Sequence, residues 1–331
     1  MRHHRADRGD RLPGPRHDHH RARGDHRRRA RAELAKEGQW LPVDVPAPDR
    51  ATLGGAVAVN ASGPRRFGYG TLRDYVIGIS FVTDDGVEVK AGGRVVKNVA
   101  GYDLMKLQIG ALGTLGVVSQ LTLKVKPKPE AAAAVAFGCA PAALARVLDG
   151  IAASKTRPVA VELLNRAAVR VSGGTLAGSD AEWVVYVGFE DKTAAVRWQV
   201  TTLLDELKSA PVRDVAESSD TAAIAGITAL QHRPESRFIG KLSTLPSELA
   251  EAVLKLPPAL PLHAHAMSGV AWLHADEALP DGVVVRRSPV ERKKALSLGG
   301  APPAGWELMR HIKRTLDPDN VFNPGRLFGD V

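Results

Sequence analysis

TLGGAVAVNASGPRR (52–66), KNVAGYDLMKLQIGALGTLG (97–116) and VVSQLTLKVKP (117–127) form the stretch whose reading decides the fold. Gly54 and Gly55, then Gly63, then Gly110, Gly113 and Gly116 place residues without a Cβ in loops that lead into short apolar segments. Such positions let backbone N–H groups face an anion or a ring edge without collision. The pattern is that of a backbone cradle for a flat, phosphorylated ligand.

On either side of these loops the sequence alternates. YVIGISFVT (75–83), the turn Asp84-Asp85-Gly86 and VEVKAG (87–92) read as a hairpin. DLMKLQIG (103–110) reads as a short helix, GVVSQLTLKVKP (116–127) as a closing strand, and Pro127 and Pro129 end the domain because proline removes a ladder donor.

The quoted motifs resemble the FAD-binding domain of the vanillyl-alcohol-oxidase or PCMH-type superfamily and, within it, the FAD-binding subunits of glycolate oxidase. The resemblance covers about residues 33 to 331. Thr52, Gly54, Gly55, Asn60, Ser62 and Gly63 resemble the family's second flavin loop, where the Asn60 amide and Ser62 hydroxyl can reach phosphate or flavin oxygens. Gly110, Gly113, Thr114, Gly116, Val117 and Val118 resemble its closing flavin motif. Asn323 and Arg326 in VFNPGRL (321–327) resemble its terminal signature; a tail that merely packs is the other reading. Asp74, after Arg73, marks the strand behind the isoalloxazine in the resembled proteins and reads mainly as a cap. In KNVAGYDL (97–104), Asp103 reads either as a helix cap or as a flavin-side group, and Tyr102 as packing.

What the resemblance implies is an α+β protein: a PCMH-type FAD-binding domain over 33–130, a cap or substrate domain with an antiparallel sheet over 131–300, and a C-terminal helix and tail over 301–331 returning to the FAD domain. It also implies a Gly/Ser-rich loop for the FAD pyrophosphate ahead of residue 52. Residues 1–51 contain none, so the N-terminal subdomain is expected to be truncated. The implied chemistry is oxidation of a 2-hydroxy acid, glycolate to glyoxylate, with FAD as hydride acceptor. A second FAD-containing glycolate oxidase subunit and an iron–sulfur subunit are the implied partners. The competing expectation is a non-catalytic scaffold of the same complex that has lost FAD. The catalytic base is not singled out among Tyr102, His274 and His311.

Composition narrows the remaining classes. Of the formal net charge of +9, residues 1–31 carry 11 Arg against 4 Asp, so the other 300 residues are almost neutral. That run has almost no large apolar residue; residues 1–32 are expected to be disordered or mistranslated, and no nucleic-acid partner is expected of the near-neutral remainder. A single cysteine, Cys139, cannot hold an iron–sulfur cluster or close an internal disulfide, which fits a reducing cytoplasm. No window is long and apolar enough to span a bilayer, so membrane association would go through a partner.

Residues 131–290 alternate strand and helix: AAAVAF (132–137), a helix from Pro141, PVAVELLN (158–165), EWVVYVGF (182–189), and a long helix that Asp191 can cap. Helices are expected on one face of the sheet. His263, His265 and His274 in LHAHAMSGVAWLH (262–274) read as a half-exposed strand rather than a metal set, and no metal is expected. Arg65 and Arg66 put positive charge beside the first loop, for phosphate, a partner or solvent.

Overall fold

A computed structural model describes residues 18–22, 27–95, 103–172, 180–295, 302 and 304–326. Lys97 to Tyr102, Leu327, and residues 1–17 and 23–26 of the basic run lie outside the described residues. In chain order the elements are β1 (Asp18–Ala22), α1 (Arg27–Lys36), β2 (Gln39–Trp40), α2 (Leu53–Ala58), α3 (Arg66–Tyr69), α4 (Leu72–Tyr75), β3 (Val76–Val82), β4 (Glu88–Gly92), α5 (Met105–Gln108), β5 (Val117–Lys124) and β6 (Lys126–Pro127). There follow β7 (Ala131–Cys139), α6 (Leu144–Ala152), β8 (Ala160–Asn165), α7 (Arg166–Val171), β9 (Trp183–Asp191), α8 (Thr193–Glu206), β10 (Val212–Ser218), α9 (Ala223–Leu230), β11 (Phe238–Ser243), α10 (Leu249–Leu254), β12 (Leu262–His265), β13 (Val270–Ala275), β14 (Val284–Arg287) and α11 (Trp306–Leu316).

The chain divides into two compact units: residues 1–61, 71–128 and 302–331 form the first, residues 62–70 and 129–301 the second. Unit 1 is built on a four-stranded antiparallel sheet in the order β1-β5-β3-β4. The expected hairpin is β3 and β4, with Val82 opposite Glu88 across the Asp84–Gly86 turn. The basic run thus contributes β1, paired along Gln120 to Lys124, and the start of α1. The strand expected over 116–127 is two, because β5 stops at Lys124 and Lys126–Pro127 pairs instead with Gln39–Trp40. Leu53, Val57, Leu72, Tyr75, Ile79, Phe81, Leu121 and Leu123 are buried together with Ile109 and Leu115 of the glycine loop.

Unit 2 is an eight-stranded antiparallel sheet, order β10-β7-β9-β8-β12-β13-β11-β14. Strands β8 and β9 are buried at nearly every position, so both of their faces need cover. On one face Val135, Phe137, Val161, Leu163, Val185 and Phe189 pack with α6, α8 and α10. On the other, Ala160, Leu164, Val184 and Tyr186 pack with Ile224 and Ile227 of α9 and Val169 of α7. The helices therefore lie on both faces, against the expectation of one. Asp191 does not cap α8: it ends β9 and accepts from the Lys192 N–H at 2.7 Å, while Lys192 occupies the cap position without a side-chain bond. Cys139 is buried in the first of these layers, and burial raises its thiol to about 11, which keeps it protonated and inert at neutral pH.

LHAHAMSGVAWLH is not one half-exposed strand. It is the hairpin β12 and β13, turned at Ala266–Ser268 and Gly269, and its three histidines are buried.

Candidate functional site

In unit 1 the glycine segments meet. The N–H groups of Gly110 and Leu112 donate to Val57 O (3.0 Å) and Ala58 O (2.7 Å) at the end of α2. Thr52 caps that helix, its hydroxyl accepting from Gly55 N–H at 3.0 Å. A Cβ on Gly54 would stand 3.5 Å from Val118 O, so the start of α2 lies directly on the first turn of β5. Asn60 takes the left-handed conformation (φ +46°) beside Gly110, and its Oδ1 is buried with no hydrogen-bond partner.

The C-terminal turn closes the other side. Asn323 Nδ2 donates to Leu112 O (2.8 Å) and Gly113 O (3.2 Å), which pins the glycine loop to the tail. Gly113 has φ +70°, and an added Cβ would sit 2.9 Å from that same amide nitrogen. Alanine at this position is expected to cost about 1–2 kcal/mol for the left-handed backbone and to push Asn323 off its carbonyls. A chemical-denaturation midpoint reads the cost; a Gly113→Ala protein as stable as the parent would contradict this account of the loop.

Thr114 is fully buried and donates to Ala111 O at 2.7 Å, Gln108 Nε2 holds Leu115 O at 3.2 Å, and Gly116 packs against Phe81. Val117 and Val118 are half-buried where β5 begins, opposite Val82 and Phe81. Beneath them lies a group that the sequence reading did not single out. Lys313 of α11 is buried with its ammonium donating to Thr114 O (3.0 Å), Phe322 O (3.0 Å) and the Asp317 carboxylate. Asp317 also accepts from the N–H groups of Val321 (2.8 Å) and Phe322 (2.9 Å). Burial opposes the charge on Asp317, but the ammonium and these two N–H groups outweigh it and hold the carboxyl below the usual carboxylate range. The i, i+4 spacing of Lys313 and Asp317 just before Pro318 was the available signal.

Other expected site residues fall elsewhere. Ser62 and Gly63 belong to unit 2, where the Ser62 hydroxyl accepts from Arg66 at 3.2 Å and Gly63 O from Arg66 N–H at 3.0 Å. Asp74 closes the capping box of α4, accepting from Thr71 N–H (2.8 Å) and the Thr71 hydroxyl (3.2 Å). Arg326 is exposed, with only its backbone in the turn, donating to Asn323 O. Asp103 is exposed ahead of α5, whose cap position is Leu104, and His311 is exposed on α11. Arg65 does not offer its charge to a phosphate: it forms a partly buried ion pair with Glu190 at 2.6 Å, shared with Thr221.

Gly54 lies against Val118, Gly110 against Asn60 and Gly113 against Asn323, and the buried Asn60 Oδ1 among them is an acceptor left open, able to take an N–H donor. Two family models match the chain: "FAD binding domain" over residues 24–92, and "FAD linked oxidases, C-terminal domain" over 126–241 and 292–327. The chain belongs to the FAD-linked oxidases. This FAD-linked oxidase is 29% identical to glycolate oxidase subunit GlcE of Escherichia coli, the match covering 91% of this chain and 79% of that one. To a D-lactate dehydrogenase of Archaeoglobus fulgidus it is 28% identical over 85% and 71% of the two chains. To glycolate oxidase subunit GlcD of Bacillus subtilis it is 37% identical, over 40% of this chain and 28% of the other. Among solved structures, an alkyldihydroxyacetonephosphate synthase superposes with a TM-score of 0.62 at 16% identity, covering 95% of this chain and 65% of its own, which is a likeness of fold. The cofactor of this oxidoreductase is FAD.

Unit 2 of the oxidase carries a second polar cluster, on the α9 side of its sheet. Glu162 is fully buried and accepts from His265 Nδ1 at 2.9 Å through both oxygens, while His265 Nε2 meets Gln231 at 2.9 Å. His274 Nδ1 contacts the Ser236 hydroxyl at 3.1 Å. Burial first, and then the nearby Arg233 charge, push the His274 imidazole down to about 4. His263 is held well below its ordinary value by burial and by His265 and His274. The His263 ring is 6.2 Å from that of His265, edge-on, and 5.9 Å from that of His274, stacked. Among the described residues no group of His, Cys, Asp or Glu is arranged to hold a metal ion. No helix among them is long and apolar enough to cross a membrane.

Proposed function

We propose that this chain is the flavin-bearing subunit of a glycolate-oxidase-type complex, acting with a second FAD-containing subunit and an iron–sulfur subunit on a small 2-hydroxy acid such as glycolate. The observation that carries the reading is the convergence of α2, the Gly110–Val118 loop and the Asn323 turn around the open Asn60 oxygen. When bound, FAD supplies the two-electron acceptor for the α-carbon of the hydroxy acid.

Asn60 Oδ1 would accept a ring N–H, and the backbone at Gly54, Gly113 and Val118 would border the ring without a side chain in the way. Asn323 holds the glycine loop in the shape that does this, and Lys313 anchors that loop to the tail from below. Gln108 and Thr114 leave none of the loop's buried polar side chains unmet.

The reading is tested by purifying the full chain and titrating it with FAD, following the flavin absorption and fluorescence. Asn60→Gly keeps the left-handed backbone and deletes the amide, so it is expected to weaken FAD binding roughly tenfold or more while leaving the stability of the FAD-free protein nearly unchanged. An Asn60→Gly protein that binds FAD as tightly as the parent would remove the proposed contact. A parent protein that stays colourless in excess FAD would favour the non-catalytic scaffold of the same complex.

A further inference from the structure

The sheet of unit 1 has two unlike faces. Ile79 of β3 and Leu121 of β5 are paired and buried on the core face. Their neighbours along the strands point the other way, because side chains alternate across a strand. There Ser80 lies between Gln120 and Lys90, and Gly78 lies between Thr122 and Gly92. Directly opposed residues share a face, so these two rows make one polar surface across three strands. A cleft of about 140 Å3 opens over it, and Arg94, just past the end of β4, forms part of its rim.

The floor of the cleft is shaped by side chains that are missing. Gly92 takes the left-handed conformation (φ +72°), and a Cβ there would collide with Ile77 O. A Cβ on Gly78 would meet the Thr122 hydroxyl oxygen at 3.1 Å, so that hydroxyl borders the hollow which Gly78 leaves. Thr122 is 6% exposed, and its hydroxyl has no hydrogen-bond partner among the described residues. A buried hydroxyl left open in this way costs stability unless something meets it. Ser80, 3% exposed, reaches only Gln120 Oε1, at 3.5 Å. Among the described residues no carboxylate lines the cleft, whereas Lys90 and Arg94 do. Lys90 is mostly exposed, and its contact with Glu88 at 3.7 Å is a solvated one that contributes little.

We propose that this cleft binds a small phosphate monoester, its phosphate group seated over Gly78. With strands about 4.8 Å apart and about 6.8 Å between alternate residues of one strand, Thr122 and Ser80 stand on two sides of Gly78 and Lys90 stands diagonally from it, within reach of a lysine stem. The Thr122 and Ser80 hydroxyls then donate from the floor, and Lys90 and Arg94 supply positive charge from the rim. Donors on several sides suit a tetrahedral oxyanion, whereas a planar carboxylate is met best by a coplanar fork. The cleft holds more than an inorganic phosphate fills, which leaves room for the organic part of an ester. The site lies wholly within unit 1 and shares no residue with the FAD cradle.

The test is calorimetric titration of the full chain, in phosphate-free buffer, with glycerol 3-phosphate, inorganic phosphate and acetate. Glycerol 3-phosphate is expected to bind at least as tightly as inorganic phosphate, and both more tightly than acetate. Thr122→Val keeps the shape and the strand preference while deleting the hydroxyl, and is expected to weaken glycerol 3-phosphate binding roughly tenfold, with Thr122→Ser restoring most of it. Lys90→Gln, at an exposed side chain where folding is not at risk, is expected to cost a similar factor and to flatten the dependence of binding on salt. Absence of binding by the parent, equal binding by the parent, Thr122→Val and Lys90→Gln, inorganic phosphate bound more tightly than its ester, or acetate bound as tightly as either overturns the proposal. Displacement of glycerol 3-phosphate by FAD overturns it too, because the cleft would then belong to the cofactor. A chain that binds glycerol 3-phosphate without taking up FAD keeps this site and rejects the cradle.

Discussion

Replacing Lys313 by methionine is expected to destabilise unit 1 by about 3–5 kcal/mol, the range for breaking a buried ion pair from one side. The loss is large because the ammonium has three oxygens to itself. Thr114 O, Phe322 O and the Asp317 carboxylate all lose their donor at once, and the carboxylate stays buried with a negative charge. Asp317 would keep only the N–H groups of Val321 and Phe322. Methionine fills most of the volume, so the cost is electrostatic rather than a cavity. The double variant Lys313→Met, Asp317→Asn removes the stranded charge and is expected to recover a good part of the loss, which denaturant midpoints of the three proteins would show. Equal midpoints for the single and double variants would mean that the pair does not act as a pair. Because Thr114 lies in the loop that Asn323 also holds, the single variant is further expected to retain less FAD after gel filtration.

The parts of this architecture that could be read from the sequence are those written locally. The β3–β4 hairpin is announced by Asp84-Asp85-Gly86 between alternating strands, and Pro141 stands at the first turn ahead of α6. The glycine loops are visible as spacing, and the structure brings Gly54, Asn60, Gly110 and Gly113 together as that spacing suggests. What escaped is long-range. Nothing near Lys313 in sequence points to Thr114, nearly two hundred residues away, and a lysine on a helix is normally solvated. Arg65 and Glu190 are likewise paired across the sequence, so a charge that looked available for phosphate is spent inside unit 2. The edge strand β10 was hidden because VRDVAES has polar residues on both faces and no alternation. The burial of β12 and β13 was missed because histidine spacing shows which side chains share a face but not that α9 covers that face.

Acid is expected to loosen unit 2 well before it protonates most carboxylates. His274 and His263 are buried neutral, the first pushed down to about 4 and the second well below its ordinary value of 6.5. In the unfolded chain both recover an ordinary imidazole, so below pH about 6.5 the unfolded state binds protons that the fold refuses. The sign follows: this part of the stability is present above about 6.5 and is lost as pH falls, until for His274 the loss levels off near 4. At pH 5, about 1.5 units below the ordinary value, the expected penalty for His274 is about 2 kcal/mol at 1.36 kcal/mol per unit, and His263 adds a penalty of the same sign. Arg233 adds to the resistance of His274, and His265 and His274 add to that of His263, while Ser236 is the polar partner His274 has in the fold. Urea midpoints measured from pH 7.5 to 5 should therefore fall steeply for the parent and less for a His263→Leu, His274→Leu protein, in which neither of these two imidazoles is left to charge on unfolding. Parallel curves for the two proteins would place the acid sensitivity elsewhere, and a calorimetric proton uptake near zero on unfolding the parent at pH 5 would say the same without any substitution.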